Sequence, residues 1–317
     1  MRSETIPLLQ LLQTRGVGLR AVSKVMDRLS SERLSLSDFI DLTPESIRDG
    51  YGLTYAQAAS ITENLSSAEG IAEVLDSRGI RTILRSDAEY PPRLKDALDG
   101  HAPPVLFAMN RPDLLQRRGV GFCGARDASS EAIRCADQLA RALVEHDLLI
   151  VSGHAAGVDE ATHFAALDAG GQTALVLPEG ILQFRARKSI ARMLTQDNSV
   201  IVSEFSPKLP WSVSNAMQRN RTICGLVHAM VVVEAGTTGG TWEAGLSALK
   251  LGVPLFVLDY SDPAPSAGGN PGLIKKGGIP LPCRLGMEPD LSVLLRSLSL
   301  DTRVAKSATA GLFDQFA

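Results

Sequence analysis

The sequence predicts an α/β fold, a mostly parallel sheet with helices on both faces, preceded by a small helical domain. Three observations predict it. Eight short apolar runs recur between residues 69 and 295, with helical stretches between most of them. Several runs are continuously apolar rather than alternating, the pattern of strands buried on both faces. Over residues 1–67 no strand-like run occurs, and apolar residues return at spacings of three and four.

Residues 1–67 are read as the helical domain, of SAM or helix–hairpin–helix type. Leu8, Leu9, Leu11 and Leu12, then Val22, Val25, Met26 and Leu29, form its apolar stripes. Between them Arg15-Gly16-Val17-Gly18 is a glycine turn joining two helices. Such turns hold DNA phosphates in helix–hairpin–helix modules, but a plain helix–helix corner is the simpler reading.

Residues 68–295 are read as an extended Rossmann-like domain. Its strands are expected at Thr82–Leu84, Val105–Ala108, Val120–Cys123, Leu148–Val151, Thr173–Leu177, Val200–Val202, Met230–Val233 and Leu255–Leu258. Helices are expected at Ser130–Glu145, Asp159–Ala169, Ser189–Gln196 and Thr241–Leu251. The dinucleotide fingerprint GxGxxG is missing after Val120–Cys123, so neither NAD nor FAD is expected, and no cofactor at all. Residues 296–317 are read as a flexible tail ending in Leu312, Phe313 and Phe316.

Composition narrows the function. Hydrophobic content of 44% and charged content of 21% are those of an ordinary soluble globular chain. A net charge of −3 excludes a globally basic nucleic-acid binder, so any such surface must be a local patch. No apolar run reaches membrane-spanning length, and the N-terminus lacks a signal-peptide pattern. Cys123, Cys135, Cys224 and Cys283 are scattered without a CxxC pair and read as free thiols, so a cytoplasmic location is expected.

Residues 148–163, LLIVSGHAAGVDEATH, are the most informative stretch. A strand stops at Ser152-Gly153, Gly157 follows, and a helix opens at Asp159. Small residues at a strand-to-helix turn let backbone amides approach a phosphate, and the helix dipole adds positive potential; a mere tight corner is the other reading. A second such unit runs from Val231 through Glu234, Gly239 and Gly240 into a helix, which strengthens the phosphate reading.

Arg219-Asn220-Arg221 places two guanidinium forks around an amide, suited to phosphate and sugar or base edges. A structural role is equally open, with Arg221 pairing a buried carboxylate such as Glu234. Phe184, Arg185, Lys188 and Arg192 would form a cationic stripe with an aromatic if that segment is helical, or simply a solvated face. Asp159 and His163, four residues apart, read as a structural hydrogen bond; with no third ligand, no metal site is expected. No catalytic residue is assigned.

Taken in order, these segments resemble the DNA-processing protein A family, also called Smf. Asp87-Ala88-Glu89-Tyr90-Pro91-Pro92-Arg93-Leu94 with Pro103-Pro104-Val105-Leu106-Phe107 is similar to the family's YP…L…PP.LY segment. Gly124-Ala125-Arg126 resembles VGSR, and Ser152 to Asp159 with His163 resembles SGxAxGID..AH. Ser203-Glu204-Phe205, Arg219 to Leu226 and Val232 to Ala235 resemble SE, RNRIIAGL and VVEA, and Gly269 to Gly278 is similar to GTNxLIxxGA.

The resemblance implies a non-enzymatic homodimer that binds single-stranded DNA in a basic pocket. It also implies loading of a RecA-type recombinase during natural transformation, in competent cells. Carried over by position, Ser152, Gly153 and Gly157 would cradle phosphate through amides, and the second glycine turn adds Gly239 and Gly240 on the residues' own pattern. Arg126, Arg219 and Arg221 would supply charge, Asn220 orientation, and Lys275 a rim contact. Asp159, His163 and Glu234 would hold the site's shape.

Departures matter too. The family's GLDxxYP loop is replaced by Glu179 to Arg185, and FP before the RNR motif reads Met217-Gln218. The turn after Glu234 reads GTTGGTWEAG, and the tail leaves no room for a winged-helix module. Work in another DNA pathway, such as phage defence, is therefore open. The alternative is a nucleotide phosphoribohydrolase using Glu243, because GGTWE resembles PGGxGTxxE imperfectly.

Overall fold

The computed structural model describes residues 2–299. Six helices open the chain: α1 (Arg2–Gln13), α2 (Leu19–Glu32), α3 (Leu36–Ile40), α4 (Pro44–Tyr51), α5 (Tyr55–Glu63) and α6 (Leu65–Ser77). Local chemistry starts several of them. Ser35 and Thr54 each accept an amide from the first turn while Asp38 and Gln57 return the bond, giving α3 and α5 capping boxes. Thr43 caps α4, whose first helical residue is Pro44, and Gly52 ends it in the left-handed conformation.

The sheet and its covering helices follow as β1 (Arg81–Leu84), α7 (Pro92–Leu98), β2 (Val105–Asn110), β3 (Gly119–Cys123), α8 (Ser130–Glu145), β4 (Leu149–Ser152) and α9 (Val158–Asp168). Then come β5 (Thr173–Val176), β6 (Ser199–Ser203), α10 (Val213–Leu226), β7 (Ala229–Val232), α11 (Gly240–Lys250), β8 (Leu255–Asp259), α12 (Asn270–Lys275), β9 (Ile279–Pro282) and α13 (Ser292–Ser299). Strand order is β1-β2-β6-β5-β4-β3-β7-β8-β9. From β6 to β9 every pairing is parallel, with Val120 opposite both Ile150 and Ala229; β2 is antiparallel to β1 and β6.

Alternate residues of one strand serve two cores, which is why the runs carry no polar side. Val151, Val176, Val202 and Val232 pack with α7, α10 and α11 on one face. On the other, Ile150 and Val231 meet α8, α9 and α13, while Leu175 and Ile201 meet α1–α6. Burying a side chain of this size stabilises by about 1.5–3 kcal/mol.

Several expectations are corrected. Ser189–Gln196 is not a helix but a succession of turns. Ile190 anchors it in the core, and side chains take the backbone bonds: Asn198 donates to Met193 O and accepts from Thr195 N. Elements α7, α10, α12, β9 and α13 lie outside the expected set, and α13 holds residues 296–299, read as the start of a flexible tail, in a helix that buries Leu294 and Leu298. Cys135 and Cys283 are not free: they form a disulfide linking α8 to the segment after β9, with Cα atoms 6.1 Å apart. Cys123 and Cys224 are free and buried. The GLFDQFA cluster lies outside the described residues. Among those residues, no helix is long and apolar enough to cross a membrane.

Candidate functional site

A cavity of about 530 Å³ opens where the loops leave the carboxyl ends of β3, β4, β5 and β6. Ligands bind at this end of open α/β sheets, because helix N-termini and loop amides converge there. The lining joins Arg126 after β3, Gly153, His154 and Ala155 after β4, Glu179, Arg185, Arg187 and Lys188 after β5, Trp211 after β6, and Arg219 of α10.

The turn after β4 is built tightly. Gly157 has φ 77°, and a Cβ there would strike the Ala125 and Arg126 carbonyls, so only glycine lets the Arg126 loop lie this close. The Val158 amide donates to Ala125 O at 3.4 Å, and the Ala155 amide donates to the Asp159 carboxylate at 3.1 Å. The turn therefore satisfies part of its own amide cluster and offers the remainder. Ser152 is fully buried and its hydroxyl donates to Phe122 O at 2.8 Å, so its side chain ties β4 to β3 instead of facing a phosphate.

Arg219 is only 5% exposed. Its Nη1 donates to Gly153 O and, at 2.6 Å, to Val176 O, clamping the ends of β4 and β5. Burial lowers its pKa against the pull of Asp159 and Glu179. The expectation of a guanidinium reaching out to phosphate becomes one that lines the cavity and holds its wall.

Asp159 and His163 do not bond to each other, contrary to expectation. Each turns to a nearer partner: Asp159 to Ala155, and His163 Nδ1 to Thr173 Oγ1 at 2.7 Å. Burial, with repulsion from His154 and Arg219, holds His163 well below the usual imidazole range, so it is neutral. His154 sits at φ 62°, with its ring 5.3 Å from Phe184 and its Nε2 bonded to Arg185 O at 3.1 Å. Burial lowers its pKa too.

Glu234 does not meet Arg221. Its carboxylate accepts from Ser129 N at 2.9 Å and Ser129 Oγ at 2.6 Å, and Ser129 caps α8. Glu234 thus fixes the loop that carries Arg126. Arg221 instead lies in the field of Glu204, a buried carboxylate that accepts from Thr222 and Gln218 at 2.7 and 2.9 Å and whose pKa burial raises.

The structure brings Arg126, Gly153, Arg185, Lys188 and Arg219 together, with Phe184 behind them through His154. It does not bring Gly239 and Gly240 into the cavity. Their turn is exposed, and Asn220 donates to Gly240 O at 3.2 Å. Arg192, Lys275 and Glu243 are also exposed and outside the lining.

Several lining residues were missed, among them Trp211, Glu179, His154 and Arg187. Trp211 is 47% exposed. The signal available was its being one of only two tryptophans, set in a polar segment. Glu179 gave none. The loops of Trp211 and Glu179 are joined by Gly180 N to Leu209 O at 2.8 Å, Leu182 N to Pro207 O at 2.9 Å and Gln183 Nε2 to Lys208 O at 3.0 Å.

Residues 81–282 match the family described as DNA recombination-mediator protein A. A putative DNA processing protein DprA of Mycobacterium tuberculosis is 31% identical over 224 residues, covering 65% of this chain and 58% of that protein. The X-ray structure of DNA processing protein A from Streptococcus pneumoniae is similar at a TM-score of 0.72 and 25% identity, over 87% of this chain and 94% of that one. DNA processing protein A from Helicobacter pylori, solved for its single-stranded DNA binding mode, gives a TM-score of 0.54 at 25% identity, over 63% and 90% of the two chains. The sequence match thus spans little more than half of the mycobacterial relative.

Proposed function

The chain belongs to the DNA recombination-mediator protein A family, and we propose that it binds single-stranded DNA in this cavity without transforming it chemically. One observation carries the reading: Arg126, Arg185, Arg187, Lys188 and Arg219 surround the cavity on a chain whose net charge is −3. A local cationic patch on an acidic chain attracts phosphate, and the exposed face of Trp211 suits bases of any sequence. The Helicobacter relative's single-stranded DNA binding supports it. The family's description as a recombination mediator supports a second step, delivery of the strand to a RecA-type recombinase. A homodimer completes the proposal; the free-thiol argument for a cytoplasmic location does not extend to Cys135 and Cys283, which are paired.

The test is fluorescence anisotropy with labelled oligo-dT and a matched duplex across a salt series, for wild type and Arg126→Ala/Lys188→Ala. Salt-sensitive, single-strand-preferring binding is expected, with the double variant losing about two units of slope. Absence of binding at low salt, or an unchanged slope, overturns the reading. Light scattering reads the oligomeric state, and strand exchange with a RecA-type recombinase reads the delivery step.

A further inference from the structure

We propose that Glu179 makes this site selective for guanine in single-stranded DNA. The inference rests on the DNA-binding reading and concerns the same cavity.

Glu179 is the one carboxylate among the cavity's lining residues, and five cations share that lining. A site built for phosphate alone gains nothing from it, since a carboxylate repels the ligand and weakens the field. Ion pairing with the cations would explain its presence, yet among the described residues Glu179 forms no salt bridge. Its carboxylate takes its own backbone N–H and lies in the field of Arg219, the buried cation that clamps β4 and β5. It is half-buried and lines the cavity. A half-buried carboxylate with acceptor capacity left over gains from a ligand that presents donors.

Bases supply those donors. A carboxylate offers two adjacent acceptors, and guanine alone presents two adjacent donors, N1–H and N2–H, on its Watson–Crick edge. Thymine presents one N–H between two carbonyls, while adenine and cytosine each place a ring-nitrogen acceptor beside the amino group. Single-stranded nucleic acid is read through this edge, with the base stacked on an aromatic or guanidinium plane. Trp211 under Arg126 is such a plane. It stands on the loop joined to that of Glu179 by the three hydrogen bonds described above, so platform and acceptor keep a fixed relation. A bidentate contact of this kind discriminates by about tenfold or more.

The experiment compares anisotropy binding of oligo-dT with thymine oligomers in which alternate bases are 7-deazaguanine, which keeps both donors and cannot form quadruplexes. A hypoxanthine series, lacking N2–H, is run in parallel. The wild type is expected to bind the deazaguanine oligomer about tenfold tighter than oligo-dT, with hypoxanthine between them. Glu179→Gln, confirmed as folded by its melting curve, is expected to lose most of that difference. Equal affinity of the wild type for deazaguanine and thymine oligomers overturns the proposal while leaving DNA binding intact. Binding of none of the oligomers overturns the DNA-binding reading and this proposal with it. The wild-type comparison decides even if the variant fails to fold.

Discussion

The guanidinium of Arg126 lies 5.3 Å from the centroid of the Trp211 ring, a cation–π contact at the cavity's mouth. One face of the indole is thereby occupied and the side chain still keeps 47% of its surface in solvent. Charge and stacking plane come to the ligand as a unit.

Replacing Trp211 by alanine should weaken binding of oligo-dT by about 1–3 kcal/mol and barely move the melting temperature. Anisotropy and calorimetry on the same samples check both halves. A large loss of stability with affinity intact would contradict the stacking role.

Arg219 and Arg126 should behave as opposites. Arg219→Ala leaves the Gly153 and Val176 carbonyls without their buried donor, so it should destabilise the fold by about 2–4 kcal/mol in denaturant titrations. Arg126→Ala should leave stability nearly unchanged and flatten the salt dependence of DNA binding by about one unit.

Acid should weaken the fold from the neutral side. His163 is held neutral, its folded pKa well below the ordinary 6.5. Above that value both states are unprotonated and the stability is fully present. Below it the unfolded chain takes a proton that the folded one refuses, and stability falls by up to about 1.4 kcal/mol per pH unit for this group. His154, shifted in the same direction, adds to the slope. His163→Gln should flatten the curve of unfolding free energy against pH between about 6.5 and 5; an unchanged slope would count against a neutral buried imidazole.

Thiol labelling should follow the cysteine arrangement. The native protein should react at neither Cys123 nor Cys224, because burial raises both thiols, Cys224 to about 12. Denatured without reductant, it should show those two alone, and with reductant all four. Reduction should lower stability by about 2–5 kcal/mol.

Most of the sheet was legible because its strands are buried on both faces, and a continuous run such as Leu148–Val151 has no rival explanation at that length. Strand β9 was hidden by Pro280 and Pro282, which an edge strand tolerates but a pattern search discounts. Helix α10 was hidden because its buried residues run consecutively through its last turns, from Thr222 to Leu226, and leave no amphipathic stripe in its first half. The cations Arg185 and Lys188 were legible as a local cluster. Trp211 and Glu179 were not, since they meet through backbone bonds between distant loops that leave no spacing to read. For Arg219 the residue type was legible and its direction was not: the same triplet pattern serves a guanidinium turned outward or one turned into the wall.

The apolar cluster beneath α1–α6 has a reach beyond those helices. Ile181 and Ile190 belong to it, and Leu182, Phe184, Met193 and Leu194 pack against it. These residues bracket Arg185, Arg187 and Lys188, so the cationic loop is upholstered from behind by the first third of the chain. Mutational drift in the helices is therefore not free: a changed side chain there shifts the seat on which the cations rest. Affinity can be tuned from residues that lie outside the cavity's lining.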